Sequence, residues 1–98
     1  MADHDAGQWR VIVEETVGFG RENQRWDITL VRPCADRDEA LRAAADLADN
    51  HRPEHPMSPR GRAVYRIGAD TWLVRLTGLT RDYHFRVAVA LLVGGSDN

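Results

Sequence analysis

Lysine is absent: all 13 basic residues are arginine. No ε-amine is therefore available for Schiff-base chemistry or for a phosphate-loop lysine. GC-rich coding, which also favours the 12 alanines and 8 glycines, accounts for this bias. The other explanation is selection for the flat guanidinium fork at phosphate, carboxylate or aromatic partners. Cysteine is nearly absent too. Cys34 stands alone, which excludes an intrachain disulfide. It lies at a strand-to-helix junction, where a helix N-terminus lowers a thiol pKa; the plainer reading is a small, partly buried residue. Long apolar runs are missing. The longest, Val87 to Val93, falls far short of the ~20 residues that span a bilayer. Met1 to Gln8 is polar and acidic, without the apolar centre of a secretory signal. The expectation is a cytoplasmic protein with no membrane partner.

What is present fits one domain. A chain of 98 residues buries roughly 60–65% of its unfolded surface, enough for a single modest core. Apolar residues make up 43% and charged residues 29%, as in ordinary globular proteins. Net charge is −2, which disfavours nonspecific polyanion binding. The charge is uneven. Residues 1–50 carry 6 arginines against 11 acids, and residues 51–98 carry 7 against 4.

Period-two alternation begins at Trp9, with Trp9, Val11 and Val13 on one side, and predicts a strand. Gly18 to Asn23 is rich in turn residues. Trp26, Ile28 and Leu30 predict a second strand, which Pro33 ends because proline cannot donate to a ladder. Asp36 is a good N-cap, and Glu39 completes a capping-box pattern. Ala40, Leu41, Ala44, Leu47 and Ala48 then mark one side of an amphipathic helix of about 14 residues. Prolines at 53, 56 and 59 make Asn50 to Gly61 an extended connection. Ala63, Tyr65 and Ile67 alternate with Arg62, Val64 and Arg66. After a turn at Gly68-Ala69-Asp70, Trp72, Val74 and Leu76 alternate with Thr71, Leu73 and Arg75, giving a second hairpin. A last strand runs from about Asp82 to Val89, and residues 88–93 are either its continuation or a helical turn.

The fold expected is α+β: an antiparallel sheet of about five strands in the order β-β-α-β-β-β, with one helix on one face. Residues 8–94 form the domain, 1–7 a disordered head and 95–98 a flexible tail.

His51-Arg52-Pro53-Glu54-His55 matches H-x-x-E-H, the order of inverted zincin peptidases. That chemistry needs both histidines one turn apart on a helix. Pro53 and Pro56 oppose such a helix, which leaves His51 and His55 as weak metal candidates in a solvated loop. Tyr83 and Phe85 share one strand face among arginines. They read either as core or as a base-stacking platform. A Cys34–His84 dyad has no motif behind it, and Gly18-Phe19-Gly20 lacks the strand-to-helix setting of a phosphate loop. No catalytic constellation emerges, so the chain is expected not to be an enzyme and to use no cofactor. Of Trp9, Trp26 and Trp72, all at strand starts, at least one is a candidate for a partner patch.

The expected function is that of a small intracellular interaction or accessory protein. It acts through a sheet face carrying Arg62, Arg66, Leu73, Arg75 and Arg86, against a protein partner or a second copy. Val31 and Val64 are expected on that face, and the last strand is a candidate edge for self-pairing. The alternative is a nucleic-acid-binding module that uses the same arginines with Tyr83 and Phe85.

Overall fold

A computed structural model describes residues 7–20, 22–56 and 58–96. Strands β1 (Trp9–Val17) and β2 (Arg25–Cys34) precede helix α1 (Arg37–Asn50). Strands β3 (Gly61–Ile67), β4 (Thr71–Thr77) and β5 (Asp82–Leu91) follow it. The strands make one antiparallel sheet in the order β2-β1-β5-β4-β3, the α+β architecture expected. Most of the expected head (1–7) and the end of the expected tail lie outside the described residues. Gly7 is tied in by its N–H, which donates to Ala35 O at 3.2 Å.

The helix forms where its signals stand. Asp36 is its N-cap, and Asp36 Oδ1 accepts from the Glu39 N–H at 2.8 Å. The Glu39 carboxylate returns to the Ala35 N–H, closing the box one residue before the cap. Ala40, Ala44 and Ala48, one turn apart, are fully buried. These small side chains let α1 lie close on β5 and β1. Beneath them are Val11, Val13, Val74, Leu76, Phe85 and Val87, all essentially inaccessible.

Several expectations need correcting. The last strand is not an edge: β5 lies at the centre, paired with β1 from Trp9↔Leu91 to Glu15↔Phe85 and with β4 on its other side. Only there does its apolar row, Phe85-Val87-Val89, lie under the helix. Residues 88–91 stay in the strand rather than turning helical. Pro33 does not end β2, which runs on to Cys34. As an edge strand β2 has a free side, where a missing N–H costs no ladder bond. A register shift between Val13 and Glu14 inserts a bulge in β1–β2. Among the described residues no helix is long and apolar enough to cross a membrane.

Candidate interaction face

One face of the sheet carries α1; the other is uncovered. Cross-strand register assigns residues to it row by row. Ile28 (β2), Glu14 (β1), Arg86 (β5), Leu73 (β4) and Tyr65 (β3) form one row. Val31, Ile12, Ala88, Thr71 and Ile67 form the next. In both rows the edge-strand residue is apolar. Exposure is high at both flanks: 41%, 53% and 53% for Trp26, Ile28 and Val31, and 50% and 52% for Tyr65 and Ile67. Scattered exposed apolar residues are ordinary, whereas two apolar stripes on one flat surface are not.

Two arginines between the stripes are matched by carboxylates, whereas Arg10 on β1 donates only to the Gly7 and Trp9 carbonyls. Both Arg86 Nε (2.9 Å) and Nη2 donate to Glu14 Oε1. Arg75 Nε and Nη2 donate to Asp82 Oδ2 at 3.1 and 2.6 Å. The bonded carboxylate holds the Arg75 guanidinium above its ordinary pKa. Trp26 lies against His84, with ring centroids 4.9 Å apart, and its Nε1–H donates to Glu14 Oε2 at 3.3 Å. A shallow depression lined by Tyr65, Leu73, Arg75, Asp82, Tyr83 and His84 opens beside this ring.

The five residues expected to share one surface are split. Leu73, Arg75 and Arg86 are on the open face. Arg62 and Arg66 pair with Leu76 and Trp72, which puts them, with Val64, on the helix side. Helix α1 does not extend over β3, so that side of β3 stays exposed and tolerates long polar side chains. The two arginines fold inward. Arg62 Nη1 donates to Ala48 O at 2.7 Å and Nη2 to His51 O, satisfying carbonyls at the end of α1. It also lies 5.5 Å from the Phe85 ring centroid. Partial burial, reinforced by Arg52, draws its pKa below the ordinary value. Arg66 covers Trp72 at 4.5 Å and donates to Ala69 O.

Phe85 is fully buried and has no face for a base. Tyr83 is already stacked, with His55 5.3 Å away and Arg81 at 4.6 Å from its ring centroid. His51 and His55 sit in an ordered loop, not a solvated one. Its anchor is Glu15, only 3% exposed, which sequence reasoning missed. Glu15 Oε1 accepts from Thr29 Oγ1 and lies 2.7 Å from His51 Nε2, while Oε2 accepts from the Glu54 N–H at 2.9 Å. His55 Nε2 donates to Gly18 O at 2.6 Å, and the Gly18 N–H donates to Glu54 Oε2 at 2.6 Å. The motif staples the connection to the end of β1. The Nε2 atoms of both histidines are engaged in it, and among the described residues no metal-ligating trio converges. The signal was available, since alternation from Val11 and Val13 carries Glu15 to the core side. Cys34 is buried, and its pKa is raised rather than lowered, first by burial and then by the Glu39 carboxylate.

Comparison with protein-family models, curated proteins and solved structures finds no match. Fold and site therefore define the chain only as a one-helix, five-stranded α+β protein with an uncovered sheet face.

Proposed function

We propose that this is a small intracellular accessory protein that binds a protein partner through the uncovered sheet face. The observation that carries this reading is the pair of apolar stripes flanking two Arg–carboxylate pairs. Interface cores are enriched in aromatics and arginine, as this face is. The single cysteine suits a reducing compartment. Nucleic-acid binding draws less support. Arg75 and Arg86 are spent on carboxylates, and Phe85 is in the core.

Tagged wild-type protein, Ile28→Arg and Leu73→Arg test the reading as baits in native lysate. A protein retained by wild type and lost from both variants, with unchanged circular dichroism, is the expected result. Retention of the same proteins by all three baits overturns it. So does retention of only nucleic acid, released steeply as salt rises.

A further inference from the structure

Resting on that reading, we infer that the occupant of the open face is a second copy of this chain, seated face to face. The argument is one of area, charge and register.

Strands of 7 to 10 residues at ~3.3 Å per residue are ~23–33 Å long, and five of them at ~4.8 Å spacing are ~24 Å wide. The face thus offers roughly 600–700 Å², close to the ~800 Å² that each partner gives a standard stable interface. No insertion or extra domain is needed to reach that size.

Charge fits a like partner. Arg75–Asp82 and Arg86–Glu14 each sum to zero, so covering them strands no net charge from these pairs. A strongly acidic or basic partner finds no net charge at these two pairs to match. Register supplies the complementarity. A two-fold axis along β5 carries the β2 flank of one copy over the β3 flank of the other. Because the flanks share rows, Ile28 then meets Tyr65 and Val31 meets Ile67. Trp26, at the level of His84, comes to the depression lined by Tyr65, Leu73 and Arg75. At the axis the two Glu14–Arg86 pairs adjoin as one neutral cluster. The product is an aligned β-sandwich with a helix on each outer side, its two sheets ~10 Å apart.

Sedimentation equilibrium from low micromolar to submillimolar protein tests this, with thermal unfolding as the folding control. Wild type should show dimer mass. Trp26→Arg and Ile28→Arg should each weaken association at least ~30-fold, the effect of losing a hot-spot residue. Val64→Lys, on the helix side of the exposed edge, should leave the dimer intact. Monomer mass throughout overturns self-pairing. If Ile28→Arg then still strips a protein from the bait, the interaction reading survives without it. A dimer lost in Val64→Lys but kept in Trp26→Arg overturns the inference in favour of edge-to-edge pairing through β3.

Discussion

Glu15 shows how one residue can organise a region that carries no regular structure. Its buried carboxylate takes bonds from Thr29, His51 and the Glu54 backbone, joining β1, β2 and the proline-rich connection. Removing it leaves buried partners unpaired, which costs far more than the net value of the bonds themselves. Glu15→Ala should therefore lower unfolding free energy by about 3 kcal/mol in urea titration, and Glu15→Gln by less. A loss for Glu15→Ala below about 1 kcal/mol would mean that solvent replaces the carboxylate freely. Gly18 sits in the same knot with a φ of 98°, and a Cβ there would come 2.2 Å from Asn23 O. Gly18→Ala is thus both strained and obstructed. Cys34 gives a pH prediction. Its pKa is raised on folding, so the protonated thiol is the form the native state favours. The stability linked to this group is full below the unfolded thiol pKa and falls as pH rises through the folded one. Ellman's reagent at mildly alkaline pH should accordingly react slowly with native protein and fast in urea; equal rates would contradict burial of the thiol.

At the scale of elements, α1 depends on its cap and on β3. Asp36→Ala should cost about 1 kcal/mol of unfolding free energy, the usual value of an N-cap side chain. Arg62 ties the other end of the helix to the sheet edge. Arg62→Ala should accelerate hydrogen exchange in β3 more than in β5, and uniform acceleration would assign Arg62 to global stability instead. The helix was legible almost to the residue, because Asp36, Glu39 and the alanine spacing act locally. Strand existence was legible from period two for the same reason. Which side of β3 faces the helix was not. Alternation reports two sides but not their identity, and α1 does not reach β3 to demand apolar residues there. Arg62, Arg66 and Val64 were misassigned for that reason, and the expected contact surface divided with them. The place of Pro33 and the centrality of β5 depend on strand order, which no local pattern encodes. Burial of Glu15 was encoded in the alternation of β1, but its partners come from 14 to 39 positions away.

As a whole, the molecule is a slab. Its extents are 54 × 31 × 18 Å, and its radius of gyration, 15.0 Å, exceeds the ~13 Å of a compact domain this size. That shape makes small-angle scattering informative. A face-to-face pair should thicken the shortest dimension, whereas pairing along β3 would extend the sheet and leave thickness unchanged. The sheet also joins distant parts of the chain, with β1 and β5 side by side at its centre. Without β5, two hairpins remain that share no ladder, and each alone is marginal in water. During synthesis β5 is the last of the five strands to leave the ribosome. The earlier segments must wait, with their core-facing valines and leucines unburied, until residues 82–91 arrive. A translation product that stops short of them has no native state to reach, so premature termination should yield substrate for proteases rather than a partly working protein.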